Sequence, residues 1–222
     1  MPRVARSAKG GLIYHVFNRA MEGKKLFRRN KDYAAFVEIL IAGTDHAAVE
    51  VFGFCLMPKH WHLILRPSGD KDLAAYMSWV ANTHAKRHQS RYPRSKGHLY
   101  RGRYESFAVE AGDDFIDLLR YIESIALRAG LVKRAEKWEW ASLSCSKKVA
   151  RKLLSNWPVD RPKGWRKLVN KPMDRKELAR LNISLKRGRP LGRDSWVARM
   201  AQKMRIEHTL RPIGRPRKQV RG

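Results

Sequence analysis

Residues Val49 to Arg66 read VEVFGFCLMPKHWHLILR, two apolar runs, Val49 to Leu56 and His60 to Arg66, joined by Met57-Pro58-Lys59. Each run has the length and apolar content of a strand, and so short a connection makes them antiparallel neighbours. Successive side chains of a strand point to opposite faces, so His60 and His62 emerge side by side on one face and Trp61 on the other. Two imidazoles on a rigid strand suit a divalent metal. Spacing alone fits equally well a pair of histidines that are simply packed or solvated.

Outward from this hairpin the elements alternate. Upstream, Gly11 to Asn18 is β-rich, and Asp32 to Ile41 carries Tyr33, Phe36, Val37 and Leu40 at helical spacing. Downstream, Asp72 to His88 has Leu73, Tyr76, Met77, Val80 and His84 on one stripe, and Gly102 to Glu110 alternates as a last strand. The order β-α-β-β-α-β predicts an α+β, ferredoxin-like antiparallel sheet with helices on one face. A further helix is appended: Asp113 and Asp114 supply N-terminal negative charge, Phe115, Leu118, Leu119, Ile122 and Ile125 make the stripe, and Ala129-Gly130 ends it.

Charge divides the chain. The 222 residues carry a formal net charge of +28. From Lys147 onward there are 24 Lys and Arg against 5 Asp and Glu, leaving 24 against 15 before it. Residues 1–146 read as the compact domain, and residues 147–222 as a basic, partly helical DNA-binding tail broken by prolines. So positive a field attracts polyanions by releasing their counterions, which makes nucleic acid the expected partner. There is no apolar run of about 18 residues and no signal segment, so a membrane partner is not expected and a cytoplasmic, nucleoid-associated location is. Cys55 and Cys145 imply neither a disulfide framework nor a cysteine zinc cluster.

Four stretches, in order, carry a resemblance: Tyr14-His15-Val16-Phe17-Asn18-Arg19, Met57-Pro58-Lys59-His60-Trp61-His62-Leu63, Gly97-His98-Leu99-Tyr100-Arg101-Gly102-Arg103-Tyr104, and Tyr121-Ile122-Glu123-Ser124 with Arg128-Ala129-Gly130-Leu131-Val132. Together they resemble the HUH single-tyrosine transposases, and within them the REP-associated tyrosine transposases related to 200/605-type insertion-sequence enzymes. The resemblance implies a metal-dependent DNA nickase and strand transferase acting on single-stranded or hairpin DNA through a 5′-phosphotyrosine. It makes Tyr121 the nucleophile and His60 and His62 ligands of Mg²⁺ or Mn²⁺. It also implies an active unit of one chain or a homodimer.

One departure stands out. The family pattern has a polar residue four positions after the tyrosine, completing the metal site, and this chain has Ile125 there. On a continuous helix i and i+4 share a face, so an oxygen or nitrogen ligand is missing beside the nucleophile and a weakened metal site is expected. Among substrate-handling residues, His98, Tyr100, Arg101 and Arg103 interleave rings and cations, a composition suited to stacking unpaired bases and neutralising phosphates. The same composition fits a solvated hairpin. Asn18 and Arg19 are candidates on the first strand, where His15 and Asn18 face opposite ways unless a bulge intervenes. In the tail, Arg187 and Arg189, then Arg215 and Arg217, flank Gly-Arg-Pro runs that suit extended minor-groove arms. The remaining histidines, His84 and His88 included, read as ordinary, and the tail tryptophans as anchors. A noncatalytic DNA-binding descendant and a basic RNA-binding protein fit the same charge.

Overall fold

The computed structural model describes residues 8–211, so Arg215 and Arg217 lie outside the described residues. Four strands, β1 (Ile13–Arg19), β2 (Val49–Met57), β3 (His60–Pro67) and β4 (Glu105–Val109), form one antiparallel sheet in the order β2-β3-β1-β4. Helix α1 (Asn30–Gly43) follows β1 and α2 (Asp72–Arg91) follows β3, giving the order expected from periodicity.

Both faces of the sheet are covered. On one, Tyr14, Val16, Trp61, Leu63 and Leu65 pack with Phe36 and Leu40 of α1 and Tyr76 and Val80 of α2. On the other, Phe17, Ile64 and Phe107 meet Phe115, Leu119 and Ile122 of α3 (Asp113–Glu123). The second face needs cover because it carries Ile13, Phe17, Ile64, Phe107 and Val109, and strands with apolar residues on both sides are buried on both. Chain beyond residue 147 supplies part of that cover. Helices α5 (Lys147–Leu153), α6 (Trp165–Asn170), α7 (Arg175–Arg187) and α8 (Asp194–Lys203) contribute Leu153, Trp165, Val169, Leu181 and Trp196 to the two cores.

Two local irregularities set the site. Between Val51 and Gly53 the β2 register shifts. Phe52 packs on the α3 face, and a Cβ on Gly53 would meet Leu119 Cδ1 at 2.3 Å on that same face. Two consecutive residues therefore share one side, and alternation resumes with Phe54 and Leu56 inward to α1 and α2, Cys55 and Met57 toward α3. The second irregularity interrupts the helix expected to run to Ala129. It stops at Glu123 and restarts as α4 (Ile125–Arg128). Ser124 Oγ donates to the Tyr121 carbonyl at 3.0 Å, the acceptor that a continuous helix would offer the Ile125 amide.

The tail is tied down by charge as well as by packing. Arg120, 5 % exposed, donates to the carbonyls of Leu168, Lys171 and Pro172 and pairs with Glu177. Asp114 pairs with Arg180 at 2.6 Å and Glu110 with Arg193 at 2.6 Å. The first Gly-Arg-Pro run is consequently not an extended arm. Gly188 caps α7 in the left-handed region at φ 67°, and Leu191 bridges to Val109 of β4.

Candidate metal and nucleophile site

The antiparallel register places Arg19 opposite His60, Phe17 opposite His62 and His15 opposite Ile64, all on the α3 face. His60 Nδ1 and His62 Nε2 lie 3.1 Å apart. Two ligands at about 2.1 Å from one ion, at right angles, are separated by about 3.0 Å, so the pair fits adjacent positions of an octahedral Mg²⁺ or Mn²⁺. Burial, reinforced by Arg19, lowers the His60 pKa to about 4. Burial also holds His62 well below the usual histidine range, with His15, His60, Arg128 and Arg19 adding to the effect. Both rings are therefore neutral near pH 7, the form in which imidazole binds metal. Among the described residues no group of three or more His, Cys, Asp and Glu is placed to hold a metal ion.

His62 is in turn held by a third histidine. His15 is fully buried, its pKa lowered by burial to about 3, and its Nε2 lies 2.9 Å from His62 Nδ1. Two proton arrangements satisfy these distances. In one, His15 Nε2–H donates to His62 Nδ1 and His62 Nε2–H donates to His60 Nδ1, which blocks the metal-facing lone pairs. In the other, His62 Nδ1–H donates to His15 Nε2, freeing His62 Nε2 for a cation, and the proton of His15 rests on Nδ1. That Nδ1 is buried without a hydrogen-bond partner among the described residues.

Tyr121 lies near the end of α3, half-buried against the core that contains Phe17 and Met57. The Arg128 guanidinium stands 3.9 Å from the centre of its ring. Arg128 also lowers the pKa of His62, so one cation serves both the tyrosine and the histidines. Ile125, 6 % exposed, lies in the same apolar core. Two positions after the tyrosine, buried Glu123 accepts from Ser142 Oγ at 2.6 Å and from Trp165 Nε1 at 2.7 Å. Burial raises its pKa against those hydrogen bonds. The carboxyl thus anchors the tail to the helix that carries Tyr121.

The remaining candidates separate. Arg19 flanks His60 and pairs with Glu105 at 3.5 Å, and Arg101 donates its backbone N–H to the Arg19 carbonyl at 3.0 Å. Arg101 and Arg103 are exposed, as is His98. Asn18 faces away from His15, as expected without a bulge in β1. Its amide donates to the Gly102 carbonyl at 3.2 Å and its oxygen accepts from the Arg19 amide at 2.8 Å, shaping the Gly102 loop. Tyr100 is committed to the opposite face of the sheet. Trp61 Nε1 donates to its hydroxyl at 3.2 Å, His84 Nδ1 lies 2.5 Å away, and burial pushes its pKa up. Arg187 donates to the His208 carbonyl and Arg189 approaches Asp194 at 3.5 Å. Trp138 donates to the Leu56 carbonyl at 2.9 Å, Trp140 stacks on Tyr33, and Trp165 binds Glu123, so these rings anchor chain segments. Spacing singled out neither Arg128 nor the His15 contact. The His15 position on the first strand was the one available signal.

A family profile described as Transposase IS200 like matches residues 8–125, more than half of the chain. The solved structure of a REP-associated tyrosine transposase bound to a REP hairpin is similar, with a TM-score of 0.54 and 20 % sequence identity, covering 72 % of this chain and 93 % of that one. At that identity the likeness establishes the shared fold. No curated protein matches the chain.

Proposed function

The chain belongs to the IS200-like transposase family, and we propose that it is a metal-dependent strand transferase that nicks single-stranded or hairpin DNA in the cytoplasm, with Tyr121 as nucleophile and His60 and His62 as metal ligands. The observation that carries this reading is the 3.1 Å convergence of two neutral histidine nitrogens on the sheet face against which the Tyr121 helix packs. Mg²⁺ or Mn²⁺, when bound, supplies Lewis-acid polarisation of a nonbridging phosphate oxygen. Tyr121 Oη forms the bond to phosphorus as the bond to the 3′ oxygen breaks. The phenol proton leaves to solvent, and the departing oxygen is protonated to a free 3′-OH. The 5′-phosphotyrosine conserves the ester bond, so a second 3′-OH can attack it and rejoin DNA without ATP. Arg128, over the Tyr121 ring, orients the phenol and offers positive charge to the incoming phosphate. Arg19, beside His60, and exposed Arg101 and Arg103 extend that charge along the sheet edge.

Ile125 offers no ligand, so His60 and His62 would hold the ion with solvent completing its coordination, and the site would be weaker than one with a third protein ligand. The same residue favours a second reading, a DNA-binding descendant without catalysis. Labelled hairpin DNA incubated with the protein and Mn²⁺ or EDTA, then separated under denaturing conditions, decides between them. A covalent protein–DNA band is expected with Mn²⁺ and not with EDTA, and Tyr121→Phe removes it while sparing binding. Tight binding without nicking across metals supports the second reading instead.

A further inference from the structure

We propose that a basic groove on the tail side of the Tyr121 helix is a binding track for the single-stranded DNA that flanks the hairpin. The groove has a volume of about 1300 Å³ and lies between the chain that follows α4 and helix α6. All of its lining residues fall after residue 125, beyond the part of the chain that matches the family profile. Six exposed cations line it: Lys133, Arg161, Lys163, Arg166, Lys167 and Lys171.

These cations are distinguished by what they lack. Elsewhere in the tail Arg180, Arg189 and Arg193 each approach a carboxylate, and Arg134 on the groove itself pairs with Glu136. Among the described residues none of the six is within salt-bridge distance of a carboxylate, and no carboxylate lines the groove. Arg161 stacks on Trp157, 4.6 Å from its ring centre, and positive charge without carboxylate partners concentrated at a concave surface is a site for phosphates rather than a stabilising network. Leu127, Leu143 and Leu168 supply apolar lining beneath it. A duplex presents only its backbone to such a surface, whereas a single strand places phosphates against the cations and unstacked bases against the apolar part.

The groove is built rather than loosely held. Its α6 wall is fixed from beneath by Trp165, whose indole binds buried Glu123, and by Arg120, which donates to the Leu168 and Lys171 carbonyls. Both Glu123 and Arg120 belong to α3, the helix of Tyr121. Leu127 in the lining immediately precedes Arg128, which covers the Tyr121 ring, so a strand in the groove leads toward the nucleophile.

The proposal rests on the reading of this protein as a DNA strand transferase, and its test is metal-free so that it stands apart from cleavage. Fluorescence anisotropy in EDTA compares a blunt hairpin with the same hairpin carrying a single-stranded extension, over a series of salt concentrations. Replacing Lys163, Arg166 and Lys167 with Gln lowers affinity for the extended hairpin by about tenfold or more and leaves the blunt hairpin unchanged. It also lowers the salt slope by about 2, since each single-strand phosphate contact contributes about 0.7. A second variant, Lys133→Gln with Lys171→Gln on separate segments, reproduces the selective loss and guards against a local unfolding of α6. Equal losses on both hairpins, no loss on either, or the same effect with an RNA extension at higher affinity would overturn the assignment. Absence of nicking in the separate Mn²⁺ assay, with the extension effect intact in EDTA, would refute the catalytic reading and leave the groove standing.

Discussion

Replacing His15 with Phe tests the link between a buried histidine and the metal. His15 is fully buried between Phe17 and Phe107, its ring stacked at 5.1 Å on Phe17 and set edge-on at 4.9 Å from Phe107. Phenylalanine preserves that ring packing and deletes only the nitrogens. The folded protein loses one orphaned nitrogen, His15 Nδ1, but leaves His62 Nδ1 without its partner, so with the core kept its urea midpoint stays level or falls slightly. Metal affinity falls further. To offer Nε2 to a cation, His62 must carry its proton on Nδ1, where the 2.9 Å partner is now gone. A buried donor without an acceptor costs about 1–3 kcal/mol, and removal of such an outer partner weakens metal binding by roughly 10–100-fold. Isothermal titration of Mn²⁺ into the DNA-free protein near pH 7 reads this directly. His15→Gln, whose side-chain oxygen can accept, falls between wild type and Phe. Nitrogen-15 NMR of His62 reports the tautomer without reference to activity. A His15→Phe protein that folds and binds Mn²⁺ as tightly as wild type would refute the reasoning, because the tautomer of His62 would then owe nothing to His15.

Ile125→Gln places an amide in the apolar core, and we expect a lower urea midpoint by about 1–3 kcal/mol together with tighter Mn²⁺ binding. Unchanged Mn²⁺ affinity would mean that this position does not face the ion. Leu119 of α3 packs at Gly53 of the protein's own β2, and we expect the proposed nucleophile and histidines to act within one chain. A mixture of Tyr121→Phe with His60→Ala, His62→Ala protein should stay inactive, and restored cleavage would reveal a homodimer that shares its sites. Burial lowers the His84 pKa from 6.5 to about 3. Between those values the unfolded chain binds the extra proton, so stability falls as pH drops through that window and is regained above it. The slope from this residue is about 1.4 kcal/mol per pH unit. Urea midpoints measured across that range should show His84→Gln with the shallower pH dependence.

Much of the fold lies in the periodicity. The helical stripes of Asp32 to Ile41 and Asp72 to His88 appear as α1, longer by two residues at each end, and α2, longer by three at its C-terminal end alone, because fraying ends carry little apolar pattern. Where the pattern is saturated, it stops informing. Val49 to Met57 is apolar almost throughout, so its pattern does not place the bulge; the lone Gly53 is the one local hint, and its reason becomes visible only through Leu119 packing from α3. The helix break at Ser124 is similarly silent, since a serine hydroxyl that takes the Tyr121 carbonyl looks in sequence like any exposed serine. Tyr100 shows the converse: interleaved with arginines it has the composition of a base-stacking residue, and its partners Trp61 and His84 lie far away in the chain.

By itself the sequence determined that His60 and His62 share a face, because strand alternation is a local, covalent property that no packing can reverse without a bulge. It likewise determined the element order and the basic character of the tail. Only the tertiary structure decided that His15 stands behind His62, that Arg128 covers Tyr121, and that Glu123 and Arg120 tie a basic groove to the helix of the nucleophile. Each of those contacts joins separate turns, strands or distant segments, and which segments meet is settled by burying two faces of one sheet rather than by any local pattern.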